Sequence, residues 1–186
     1  MKQIERGCID IWIDEIVPCL KDTVTGEIKE TVVFKIESRT YLKNFQENNG
    51  WHINWNKIPK DVEVYALALK DDNSIQGLVA VRNDKDSHAA YLHWACTAPQ
   101  NDIHTYKKQK YTGVGAHLFA IAADKSVKWG YEGVIHGFAA NQQLLEHYIN
   151  VFHANYLGML HQYQFFVGED EAKELLEVYH YEWNEA

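Results

Sequence analysis

Lys110-Tyr111-Thr112-Gly113-Val114-Gly115-Ala116 joins a β-rich part of the chain to a helical pattern, and its two glycines stand directly before that helix. Such a turn gathers backbone N–H groups at the positive end of the helix, where they can hold a diphosphate, and the missing Cβ atoms permit close approach. The same spacing also suits a plain strand-to-helix turn. No Gly-Lys-Ser/Thr follows, as a Walker loop requires, and no third glycine follows, as a dinucleotide fingerprint requires.

Working outward from this loop, Leu118, Ile121, Ala122, Val127 and Trp129 mark an amphipathic helix ending near Gly130. A short apolar strand over 133–138 comes next. Asn141 then caps a helix carrying Leu144, Leu145, Tyr148, Ile149 and Phe152, followed by a strand over 163–167 and a last helix from about 170 to 181. Upstream, strands are expected over 62–69, 75–81 and 90–97, the last stopped by Pro99. Nearer the start, Ile9, Ile11 and Ile13 alternate with Asp10, Trp12 and Asp14 like a half-buried strand, which a turn at Thr25-Gly26 would join to the β-rich run 31–36 as a hairpin. A short helix over 41–46 and a loop over 48–55 anchored by its indoles complete the expectation. Strands, a helix, a strand, a helix and a further strand predict an α/β layer architecture with a mixed sheet.

The chain has 186 residues, enough for one domain with a sizeable core. Its 26 acidic and 18 basic residues give a net charge of -8, a field that repels nucleic acid and attracts cationic ligands. Three cysteines, Cys8, Cys19 and Cys96, lack CxxC spacing and fit reduced thiols in the cytoplasm; no signal-like or membrane-spanning run is expected. The ten histidines include no HExxH, and His147, His153 and His161 are too widely spaced for an H-x-x-x-H site, so no metal is expected.

Lys110-x-x-Gly113-x-Gly115 resembles the phosphate loop Gln/Arg-x-x-Gly-x-Gly/Ala of the acetyl-CoA-dependent N-acetyltransferases, the GNAT superfamily. Thr97-Ala98-Pro99 is similar to the end of that family's fourth strand, Gly133-Val134-Ile135-His136-Gly137 to its fifth, and Asn141-x-x-Leu144-x-x-His147-Tyr148 to its Asn-x-x-Ala-x-x-Leu-Tyr helix. The matching stretch covers about residues 62–167 of a single GNAT-like domain spanning 1–186, whose N-terminal hairpin and C-terminal helix are atypical. Lysine at the first loop position, the length of the 100–112 connection, and Phe152-His153 in place of Gly-Phe depart from the family pattern.

The resemblance implies an α/β fold with a GNAT-like mixed, largely antiparallel sheet flanked by helices, and acetyl-CoA as cosubstrate, with phosphates held by Lys110, Tyr111, Thr112, Gly113, Val114, Gly115 and Ala116. Thr97 and Ala98 would bond the pantetheine arm, and Asn141 would start the helix that positions Tyr148 as the acid protonating the thiolate. A base is sought on the 90–97 strand, where Tyr91, His93, Ala95 and Thr97 share one face by the period of two; His93 is the candidate, with a water chain or a structural histidine as alternatives. Tyr148 also fits a plain core position. The expected acceptor is an amine on a small molecule or peptide, with no nucleic acid or membrane partner and a homodimer left open. The rival expectation is a noncatalytic GNAT-like module that binds coenzyme or a partner. A hydrolase using Cys96 is the weakest, because no nucleophile motif surrounds that residue.

Overall fold

Residues 7–179 are described by a computed structural model. Their elements are, in order, β1 (Leu20–Asp22), β2 (Ile28–Lys29), β3 (Thr31–Lys35), β4 (Glu63–Leu69), β5 (Ile75–Asp84), β6 (Ala89–Thr97), α1 (Ile103–Tyr106), β7 (Tyr111–Thr112), α2 (Val114–Lys128), β8 (Ile135–Phe138), α3 (Gln142–Phe152), β9 (Asn155–Tyr156), β10 (Gln164–Val167) and α4 (Glu169–Val178), with short 3-10 turns between β3 and β4 and after β6. Seven strands form one sheet in the order β3-β4-β5-β6-β8-β10-β9. Every pairing in it is antiparallel except β6 with β8, which α2 connects. Among the described residues no helix is long and apolar enough to cross a membrane.

The period of two along the strands sorts their side chains onto two cores. Tyr65, Leu67, Val79, Val81 and Leu92 face one way, and with Leu118, Phe119 and Ile121 of α2 and Leu144 and Tyr148 of α3 they form the larger core. Val64, Ala66, Leu78, Ala80 and Cys96 face the other way onto Leu42, Phe45, Trp51 and Trp55 of the 36–62 segment. Trp55 is fully buried and meets Trp94 edge to face at 5.9 Å, so indoles do anchor this stretch.

The N-terminal hairpin expected from the sequence is rearranged. Around Thr25-Gly26, β1 pairs with the two-residue β2 and not with β3, which joins β4 in the main sheet. Residues 9–13 alternate in burial as expected, with Ile9, Ile11 and Ile13 inside, yet they make a single parallel bridge, Ile9 with Ala139. Beyond that bridge, backbone groups of Ile11 and Ile13 are met by side chains of α3 in place of a strand partner.

Candidate functional site

β6 and β8 pair only through Ala90–Leu92 and Ile135–Gly137 and then part. At the parting β6 carries a bulge: Ala80 of β5 pairs with Trp94 and Val81 with Leu92, leaving His93 as the extra residue. The bulge puts His93 and Trp94 on the same side, rings 5.1 Å apart, and sends Ala95 to the α2 face. This corrects the sequence expectation: Tyr91 and His93 share a face, but Ala95 does not, because one inserted residue inverts the alternation.

Beyond the parting, residues 9–13 line the β8 side of the gap. Ile9 N–H donates to the Phe138 carbonyl at 2.7 Å, and Ala140 N–H donates to the Ile9 carbonyl at 2.9 Å. Tyr148 Oη donates to the Ile11 carbonyl at 2.7 Å and accepts from Ile11 N–H at 3.2 Å, while His147 Nε2 accepts from Ile13 N–H at 2.8 Å. Opposite them, His93 to Thr97 has no strand partner on the β8 side among the described residues. Two cavities adjoin this edge, one of about 320 Å³ reaching Thr97, Tyr111, Val114 and Gly115, the other of about 410 Å³ against Trp94, Ala95 and Cys96. The sheet thus opens at the carboxyl end of its one parallel pair, the place where α/β sheets bind ligands.

Gly113 caps α2 with φ +94°, a left-handed conformation that favours glycine, and its N–H points at a carboxylate of the chain itself, Asp14 Oδ1 at 3.0 Å. Thr112 Oγ1 donates to Glu15 Oε2 at 2.8 Å, and Gln109 Nε2 donates to Asp14 Oδ2. A Cβ on Gly115 would lie 2.7 Å from Ile11 Cγ2 and 3.0 Å from the Trp12 carbonyl. The close approach these glycines permit is therefore made by residues 11–15, whose two carboxylates meet the loop at the helix start.

Lys110 is exposed, its ammonium 5.3 Å from the centre of the Tyr111 ring. Tyr111 is buried and its N–H donates to Asn101 Oδ1 at 2.9 Å. Val114 and Ala116 are core residues of α2. Thr97 is half-buried, and Ala98 is buried with its N–H given to the Gln76 carbonyl at 2.9 Å. Asn141 sits at the surface as the N-cap of α3, accepting from Leu144 N–H at 2.9 Å.

Tyr148 is 0% exposed, and burial pushes its phenol well above the usual range. His93 is 2% exposed; burial, helped by the nearby Arg82 guanidinium, holds its imidazole down at about 4, so it is neutral at pH 7. Burial pushes the Cys96 thiol up to about 12, which removes the thiolate a nucleophile would need.

Asp14, Glu15 and Asn101 are site residues that no motif in the sequence marks. Asp14 reads as the polar side of an alternating run, Glu15 lies just beyond that run, and Asn101 reads as part of a polar loop. In the fold Asn101 Nδ2 donates to Gln76 Oε1 at 3.0 Å while its Oδ1 receives Tyr111 N–H, which fixes the long 98–112 connection to β5. No protein-family model matches the chain, and no curated protein matches it.

Proposed function

We propose that this chain is an acyltransferase of the GNAT type, moving an acetyl group from acetyl-CoA to an amine at the gap between β6 and β8. The observation that carries the reading is the docked segment 9–15. It is an extended, amide-bearing arm that runs through the gap and ends in a carboxylate on the Gly113 N–H, which is the pattern of a pantetheine arm ending in a diphosphate. A gap that accepts the one has donors and acceptors laid out for the other. The unpaired β6 edge and its two cavities leave room for such an arm beside residues 10–14.

The coenzyme would supply an activated thioester. The amine nitrogen bonds to its carbonyl carbon, the carbon–sulfur bond breaks, and the thiolate takes up a proton. Among this chain's residues, neutral His93 at the bulge is ready to accept the proton the amine releases. Tyr148 reaches the gap through Ile11, so its hydroxyl serves as acid only once Ile11 moves off it. At the other end, a diphosphate on Gly113 has to replace the Asp14 and Glu15 carboxylates. Those same contacts keep the Tyr148 hydroxyl and the Gly113 N–H engaged elsewhere, which favours the second reading, a noncatalytic module that binds coenzyme without turnover.

Incubating the protein with acetyl-CoA and a panel of amines while following thiol release tests the first reading. Amine-dependent release is expected; coenzyme binding without turnover supports the module, and neither binding nor turnover removes both.

A further inference from the structure

The face of the sheet opposite α2 is covered by residues 36–62 only as far as β6. Farther along, residues of one parity on four adjacent strands, including Asp84, Tyr91, His93, His136, Phe138 and Phe166, project onto a cavity of about 740 Å³. That volume is of the size that holds a small molecule. Its floor is aromatic: the Tyr91 ring stands 5.1 Å from His136 and 5.9 Å from Phe138. Apolar and aromatic walls of this kind take a flat organic body.

Its charged groups are arranged unequally. Arg82 lies over the Tyr91 ring at 4.8 Å, with Asp61 3.6 Å from its guanidinium, so this cation already has partners. Asp84 is bonded to His136 Nε2 at 2.8 Å, and burial lowers the His136 imidazole, which leaves the pair with the charge of the carboxylate alone. Two carboxylates against one guanidinium make the cavity favour a cation over an anion.

His93 supplies the specific observation. It lines the cavity and is 2% exposed, and neither ring nitrogen has a hydrogen-bond partner among the described residues. A buried imidazole left unpaired costs stability, so its retention points to a group that arrives from outside. A neutral imidazole offers one acceptor nitrogen, and an amine N–H satisfies it. The His93 carbonyl, meanwhile, faces Gly7 on the gap side, where a Cβ on Gly7 would meet it. One residue borders both the gap and the cavity.

The geometry points to this cavity as the binding site of the acceptor, an amine carried on an aromatic or bulky apolar body, with its nitrogen on His93 and its positive charge drawn by Asp84 and Asp61. The role as acceptor site rests on the transferase reading above; the binding of the amine does not.

Full-length protein is titrated with naphthylmethylamine, with naphthoate as its anionic counterpart and methylamine as the ringless one, by calorimetry and by the resonances of the His93 ring. Naphthylmethylamine should bind saturably and shift the His93 ring, the other two should bind at least about tenfold more weakly, and Asp84→Asn should weaken the amine by about tenfold. The inference is overturned if the amine does not saturate by about 10 mM, if naphthoate binds as well, or if binding leaves His93 unmoved. A parallel titration with acetyl-CoA separates the two claims. Coenzyme binding without amine binding sinks the cavity assignment alone, and amine binding without coenzyme binding leaves an amine site and sinks the transferase.

Discussion

The Asp14 carboxylate accepts the N–H of Gly113 at 3.0 Å across 99 residues of sequence, and so places a negative charge at the start of the fifteen-residue helix α2. An acidic side chain at that position satisfies an orphan donor and meets the positive end of the helix, as a local N-cap does. Removing it should cost about 1 kcal/mol of stability while freeing the site for another anion. Asp14→Ala with Glu15→Ala should therefore melt a few degrees lower and bind coenzyme A about tenfold or more tightly than the unaltered chain in calorimetric titration at low salt. Equal or weaker binding would reject the α2 start as the diphosphate site.

Tyr148→Phe keeps the ring among Phe119, Phe152 and Phe165 but leaves the amide and carbonyl of Ile11 without their partner. Stranding buried polar groups costs about 1–3 kcal/mol. The melting temperature should fall, and the Ile11 amide should exchange faster with solvent. If activity is found, an additional fall in kcat of about 100-fold or more would mark Tyr148 as the acid. An unchanged melting temperature and exchange rate would mean that the phenol does not hold the segment.

Gly115→Ala introduces the Cβ that would stand 2.7 Å from Ile11 Cγ2. Because the obstacle includes the Trp12 carbonyl, the segment must shift bodily, at a cost of about 1–3 kcal/mol. Denaturant unfolding should register this loss without any ligand present. A Gly115→Ala protein as stable as the original would show that the segment does not pack on the loop.

His93 and His117 are both buried, and burial holds their imidazoles at about 4 and about 3 against an ordinary value of 6.5. Between 6.5 and those values the unfolded chain binds protons that the folded chain refuses. Stability therefore falls as pH drops below 6.5, and nothing is lost from these groups on raising the pH. Denaturant unfolding at pH near 5 should show a loss on the order of 3 kcal/mol relative to pH 7, part of which His117→Leu removes. A flat profile across that range would contradict the burial of neutral imidazoles.

Much of the sheet was legible because β4, β5 and β6 carry long, nearly continuous apolar runs bounded by polar turns, and α3 announced itself through the Asn141 cap and its spaced apolar residues. Three features escaped the sequence for physical reasons. A bulge needs one residue of mismatch between two strands, which neither strand alone records, so the inversion at His93 was hidden. The 9–13 run looked like a strand, but its hydrogen bonds come from a tyrosine and a histidine far along the chain, which local periodicity cannot specify. The site itself was half visible: Gly113 and Gly115 marked a place of close approach, while nothing in their spacing said that Asp14 and Ile11 would be what approaches.

The bond from Tyr148 to Ile11 spans 137 residues, so residues 9–13 leave a ribosome well before their docking partners in α3. Three isoleucines that end in the core must wait, apolar and extended, until β8 and α3 have been made. Loop closure over such a separation is slow, and exposed strand-like apolar runs associate with one another in the meantime. The segment can then enter the gap only after β8 and α3 exist, and a shortage of chaperone should be felt at that step.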